Sequence, residues 1–195
     1  MIMNIIELIR KLISQRVIRL GKQQVIRHYQ REAGYKILVE TGTYFGEMVN
    51  SQKNNFDKII SIELDNNLYK RAFDKFKKYK HIKILNGDGG EVLNDVCKEL
   101  DKPAIFWLDG HYSGGITAKG KKETPICEEL KAIFKKNYNH IILIDDARLF
   151  IGENDYPTIV ELSRFIKQRN SEYNIEVKED IIRAVPKNIM KSHFA

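Results

Sequence analysis

From residue 35 onward the chain alternates five times between a short apolar run rich in β-branched and aromatic residues and a stretch with helical spacing. The runs are YKILVET, DKIISIEL, HIKILNGD, PAIFWLDG and NHIILIDD. The stretches that follow them are EMVNSQ, NNLYKRAFDKFKKY, EVLNDVCKEL, TPICEELKAIFKK and TIVELSRFIKQ. Such alternation admits few folds. Each strand must lie parallel to the others, because the intervening helix carries the chain back across a sheet face. The central runs are apolar on both sides of the pleat, as strands covered on two faces require. Thr124 is placed to cap the fourth of these helices, with Pro125 at its first position. YNIEVKED and IIRAVP are separated by too little chain for a helix, so they predict an antiparallel hairpin at one edge. The expected architecture is α/β: a doubly wound, mostly parallel seven-stranded sheet with a C-terminal antiparallel hairpin and an extra N-terminal helix.

At 195 residues the chain suits one full-sized core. We expect a helical segment over 1–35 and a single α/β domain over 36–195. Cys97 and Cys127 make neither a disulfide framework nor a metal-finger spacing. Free thiols fit a reducing cytoplasm. No apolar run approaches the length of a membrane span, and the charged N-terminus does not read as a secretory signal. The net charge of +7 would suit an anionic partner. The lysines are scattered, however, and form no basic stripe interleaved with aromatics, which argues against nucleic acid.

The first segment, MIMNIIELIRKLISQRVIRL, places Ile2, Ile5, Ile6, Ile9, Leu12 and Ile13 on one helical face. Arg10, Lys11, Arg16, Arg19 and Lys22 make it basic. Residues 1–22 could therefore lie on the inner face of a membrane. The alternative is packing on the domain, or on a second copy in a homo-oligomer. Apolar helix faces are most often core, which favours packing, with Ile5, Ile9 and Leu12 as the contacts.

In open sheets of this kind ligands bind beyond the carboxyl ends of the strands, so the residues just past each strand carry the functional reading. After the first strand stands ETGTYFGE, with Glu40, Gly42 and Gly46. The glycines permit a tight turn and close approach of a ligand to the backbone. After the second stands Glu63, 21 positions beyond Gly42, where an acid can accept hydrogen bonds from both hydroxyls of a ribose. It could equally be an exposed acid favouring a helix dipole. After the third stands NGDGG, where Asp88 could accept from an exocyclic amine or serve as a turn aspartate.

After the fourth strand come Asp109 and His111, and after the fifth Asp145 and Asp146. Adjacent strands lie about 4.8 Å apart. If these two strands are neighbours, three carboxylates converge, and their mutual repulsion would be relieved by a divalent cation. Helix caps and turn acids with Arg148 as counter-ion are the ordinary alternative. His111 could be a general base, a metal ligand or a loop residue. The polar, glycine-containing stretch YSGGITAKGKKETP after it is a candidate lid.

Taken together, these residues resemble the class I S-adenosylmethionine-dependent methyltransferases. Glu40, Gly42 and Gly46 are similar to the first motif of that superfamily, Glu63 to its ribose-binding acid and Asp88 to its adenine-contacting position. FWLDGH and LIDDA resemble the magnesium-dependent, macrocin-type sugar O-methyltransferases. The resemblance spans residues 36 to about 186. Two departures stand out: Tyr44 replaces a glycine of the richest form of the first motif, and HYSGG follows the fourth strand where a second acid is usual.

The resemblance implies a Rossmann-like methyltransferase fold and two cofactors, S-adenosylmethionine and Mg2+. Glu40, Thr41, Gly42, Thr43, Gly46, Glu63, Gly87 and Asp88 would bind the first. Asp109, Asp145 and Asp146 would bind the metal, with His111 and Asp109 catalytic. The expected reaction is metal-assisted methylation of a hydroxyl on a sugar or other small natural product. A nicotinamide-dependent oxidoreductase or epimerase is one rival; it would want a glycine where Tyr44 stands. A non-catalytic peripheral membrane protein is the other; it would not need acids at five strand ends.

Overall fold

The computed structural model describes residues 21–110, 123–136 and 138–190. The amphipathic stretch over 1–20, His111 and most of the candidate lid lie outside these residues. A helix over 21–33 (α1) leads into strand β1 (Ile37–Thr41), and the order then runs α2 (Glu47–Gln52), β2 (Lys58–Glu63), α3 (Asn66–Phe76), β3 (Ile82–Asn86), α4 (Gly89–Glu99) and β4 (Ile105–Leu108). It continues with α5 (Ile126–Ile133), β5 (Ile141–Ile144), a 3-10 turn (Ala147–Leu149), α6 (Ile159–Arg169), β6 (Tyr173–Lys178), β7 (Ile181–Pro186) and α7 (Lys187–Met190).

The seven strands form one sheet in the order β3-β2-β1-β4-β5-β7-β6. The first five are parallel; β7 runs antiparallel to both β5 and β6. The chain starts at the centre, winds outward to β3, returns to β4 beside β1, and winds outward the other way. That reversal between β1 and β4 opens a crevice at the carboxyl edge of the sheet.

Burial follows this order. Every residue of β1, β4 and β5 is buried, whereas the edge strands β3 and β6 carry exposed positions. Successive residues of a strand point to opposite faces, which divides the core in two. Val39, Phe106, Leu108, Ile142 and Ile144 pack against α4, α5 and α6. Leu38, Ile105, Trp107, Ile141 and Leu143 pack on the other face with Val25, Ile26 and Tyr29 of α1, Val49 of α2 and Phe76 of α3. The inner face of α1 therefore belongs to the core. Among the described residues no helix is long and apolar enough to cross a membrane.

Helix starts carry the expected chemistry. The Asp65 carboxylate accepts from Asn67 and Leu68 N–H, and Thr158 with Glu161 forms a capping box on α6. The start of α5 falls one residue later than the sequence suggests: Pro125 is the cap residue, and the Thr124 hydroxyl accepts from Ile126 N–H at 3.3 Å.

Candidate functional site

The turn after β1 is shaped by close approach of two backbones. Gly42 has φ 84°, and a Cβ there would run into the Asp109 carbonyl at the end of β4. Only glycine meets both conditions. The N–H groups of Gly42 and Thr43 donate to the Ile62 carbonyl at 2.9 and 3.3 Å, which ties the turn to β2. Below it lies a short polar chain: the Thr43 and Ser61 hydroxyls are 2.6 Å apart, and Ser61 donates to Glu40. Glu40 is wholly buried, and burial pushes its carboxyl up to about 8 despite the Ser61 bond; the charges of Asp109 and Glu63 push the same way. At neutral pH it is an un-ionised carboxyl.

Glu63 is not the exposed acid its position could suggest. It is 6 % exposed, and its two oxygens accept from Tyr44 N–H at 2.7 Å and Asp65 N–H at 2.9 Å. Its carboxylate thus holds the turn in which Tyr44 takes a left-handed φ of 50°. Burial raises its pKa, and those backbone bonds oppose the rise. Each carboxylate oxygen still has lone-pair capacity for a ligand. Asp88 caps α4, accepting from Gly90 N–H at 2.8 Å. That is the turn role, and it sets the carboxylate at the strand end where a ligand contact is expected. Gly87, just before it, has φ 146°, and its N–H donates to the Glu63 carbonyl.

Strands β4 and β5 are neighbours, so the condition for convergence of the three acids is met. Asp109, Asp145 and Asp146 line one cavity of about 1050 Å³, together with Glu40, Gly42, Thr43 and Tyr44. Asp145 is pushed up to about 7, first by burial and then by the charge of Asp109, with Lys22 opposing. Lys22 was not a site candidate, and no local sequence pattern marks it. Its ammonium lies 2.6 Å from Asp145 Oδ1, 2.7 Å from Oδ2 and 3.4 Å from Asp146 Oδ1. Burial pulls its pKa down, but the Asp145 carboxylate more than compensates, so the amine stays charged. Arg148 donates to Asp146 at 2.8 Å and to Asp180, and its role as counter-ion is realised.

These contacts bear directly on a metal. Three hard oxygen donors suit a divalent cation. As the side chains stand, no group of three metal-ligating residues is assembled among the described residues, and the Lys22 ammonium sits on the acid pair. A divalent ion fits the donor chemistry only if Lys22 leaves.

A second acid emerges from the packing. Glu129 on α5 is 1 % exposed, and burial pushes its carboxyl up to about 8. In the sequence it is one of two adjacent glutamates in an amphipathic helix, with nothing to mark it as buried.

No protein-family model and no curated protein matches the sequence. Solved structures do match the fold. The O-methyltransferase TomG from Streptomyces achromogenes, in complex with S-adenosylmethionine, superposes with a TM-score of 0.60 at 14% identity, covering 85% of this chain and 79% of that one. The methyltransferase PaMTH1 from Podospora anserina, bound to S-adenosylhomocysteine, gives 0.59 at 15% over 85% and 77%. A candidate caffeoyl-CoA O-methyltransferase from Staphylococcus aureus gives 0.57 at 13% over 93% and 91%. The strand order, the antiparallel β7 and these likenesses agree: the chain has the Rossmann-like fold of the S-adenosylmethionine-dependent methyltransferases.

Proposed function

We propose that the protein is an S-adenosylmethionine-dependent methyltransferase that methylates a hydroxyl of a small molecule, a sugar or another natural product. One observation carries the reading: the glycine turn of Gly42 and three strand-end carboxylates open into the same cavity, whose volume of about 1050 Å³ accommodates a cofactor and an acceptor together. An acid-lined crevice suits a sulfonium cation. Glu63 and Asp88 stand at the ends of β2 and β3, where a ribose and an adenine amine would be met. Thr41, Thr43, Gly46 and Gly87 shape the turns around them. The acceptor oxygen would attack the sulfonium methyl, breaking the S–C bond and forming an O–C bond. His111 is the proposed acceptor of the hydroxyl proton. Asp109, Asp145 and Asp146 would hold Mg2+, which supplies acidity to a bound hydroxyl. Two free thiols suit a cytoplasmic setting.

Against the nicotinamide alternative stands Tyr44. Its backbone N–H, which a pyrophosphate would need, already donates to Glu63.

Calorimetry with S-adenosylhomocysteine and with NAD tests the cofactor. Wild type should bind the first, and Glu63→Ala should weaken binding roughly ten- to hundredfold, the range expected when hydrogen bonds to a charged group are lost. Binding of NAD alone would refute the assignment. Manganese titration tests the metal: Lys22→Met should bind the ion more tightly than wild type, because the competing cation is gone. Full methyl transfer in the presence of chelator would leave the acids a structural role.

A further inference from the structure

Gly89 opens α4 and Gly110 follows β4, yet each has its open side toward the same atom. A Cβ on Gly89 would lie 2.5 Å from Glu129 Oε1, and one on Gly110 would lie 3.2 Å from it. The Thr41 side chain borders both positions, its Cγ2 at 3.1 Å from the Gly89 Cβ position and its Oγ1 at 3.1 Å from the Gly110 Cβ position. One carboxyl from α5 thus reaches the end of β1, the start of α4 and the end of β4. Those segments carry Glu40 and Gly42, Asp88, and Asp109. A Cβ on Gly89 would push the carboxyl aside, and one on Gly110 would crowd it.

The site is closed and polar. Glu129 and Thr41 are each 1 % exposed; neither Glu129 Oε1 nor Thr41 Oγ1 has a well-formed partner beyond the other among the described residues, and the Thr41 hydroxyl opposes the rise that burial imposes on the Glu129 carboxyl. An acid placed in such a site for packing alone would be better replaced by an apolar side chain of the same volume, because burying an unsatisfied polar group costs stability. The first turn of α5 reinforces the contact: Glu128 Cβ and Pro125 Cβ lie 2.8 and 3.3 Å from where a Gly90 Cβ would stand.

We propose that Glu129 is a positioning residue for the methyltransferase site, a buried carboxyl that clamps the strand-end turns of Thr41, Gly89 and Gly110 into one body and so holds Asp88 and Asp109 in register along the carboxyl edge of the sheet. It touches neither cofactor nor acceptor; it acts through the turns. The inference rests on the methyltransferase reading, since the turns it joins are those assigned to the cofactor.

The test compares Glu129→Gln, Glu129→Ala and Gly89→Ala in the full chain. S-adenosylhomocysteine affinity, and KM against kcat for S-adenosylmethionine, are the functional readouts. Amide hydrogen exchange at residues 87–90 and 109–110 is the readout that needs no ligand. Glu129→Gln keeps shape and should stay near wild type in all of them. Glu129→Ala should weaken cofactor binding on the order of tenfold, raise KM more than it lowers kcat, and speed exchange at both loops together. Gly89→Ala, which pushes a methyl onto the carboxyl, should reproduce the Glu129→Ala pattern, and the double variant should be less than additive because the two changes break one contact. The clamp is refuted if Glu129→Ala speeds exchange at one loop only, or lowers the melting temperature while cofactor affinity and exchange stay as in wild type. It is also refuted if Glu129→Gln loses as much as Glu129→Ala. If wild type binds no S-adenosylhomocysteine, the methyltransferase reading fails, and the exchange pattern still decides whether the turns are clamped.

Discussion

The two halves of the sheet's carboxyl edge are built by different means. On the β1–β2–β3 side the backbone does the holding: Gly42 and Thr43 N–H donate to Ile62, and Tyr44 and Asp65 N–H donate to Glu63. On the β4–β5–β7 side, side-chain charge is added to backbone bonds: Asp146 N–H donates to Asp145, while Lys22 from α1 and Arg148, itself paired with Asp180, carry the opposing charge. Backbone bonds from one strand end to the next fix the turn, so that half is preformed. Ion pairs between flexible side chains can exchange partners. A preformed half suits a cofactor that is the same every turnover, and an exchangeable half suits the site of reaction.

The largest effect should come from the charged half. Asp145→Asn should lower methyl transfer on the order of 10²–10³-fold, within the range for loss of a group at the reacting centre, while the melting temperature changes little. The reason is that Asp145 is crowded by Asp109 and partly desolvated, so removing its charge relieves repulsion as it loses Lys22. Initial rates paired with calorimetric melting check this; a large loss of stability would make the acid structural.

Next is the backbone half. Gly42→Ala sets an L side chain at φ 84° against the Asp109 carbonyl, and should cost about 2 kcal/mol or more of stability from strain and clash. Denaturant titration checks it. An effect under about 0.5 kcal/mol, the scale of an ordinary surface substitution, would mean that the turn yields and is not preformed.

A smaller effect is set by pH. The Glu40 and Glu129 carboxyls are pushed up to about 8 in the folded chain from ordinary values of 4.5. Between those limits the folded state keeps protons that the unfolded state has lost. Stability from these groups is therefore complete below about 4.5, falls as pH rises through the window, and is flat above about 8. Glu40→Gln should remove its share of that slope. Urea denaturation at about pH 6 and about pH 9 on both proteins gives the comparison, and equal slopes would place Glu40 in a wetter site.

The smallest effect is expected at the rim. The Arg148 side chain is 59% exposed while its partner Asp146 is 12% exposed and also meets Lys22, so Arg148→Ala should cost no more than about 1 kcal/mol. A larger loss, resistant to added salt, would show the charged half to be as rigid as the other.

The alternation of apolar runs and helical stretches determines the architecture from the sequence alone, because a run apolar on both sides can be satisfied only inside a sheet covered twice. The same logic makes Asp109, Asp145 and Asp146 legible: a charge that ends a doubly buried strand must sit at the sheet's edge. Gly42 is legible as a turn residue. What contacts it is not, since the obstructing carbonyl belongs to Asp109, in another strand. Lys22 reads only as one more basic residue on an amphipathic helix, and Glu129 as an ordinary helix acid. Their roles depend on partners far away in the chain: Asp145 is 123 residues from Lys22, and Gly89 and Gly110 reach Glu129 across two loops. Periodicity reports which face of an element is buried, and strand ends report where a site must lie. Which charge meets which is decided only when the sheet order sets β4 between β1 and β5 and lays α1 and α5 on opposite faces, because electrostatic contact depends on distance in space and not on spacing along the chain.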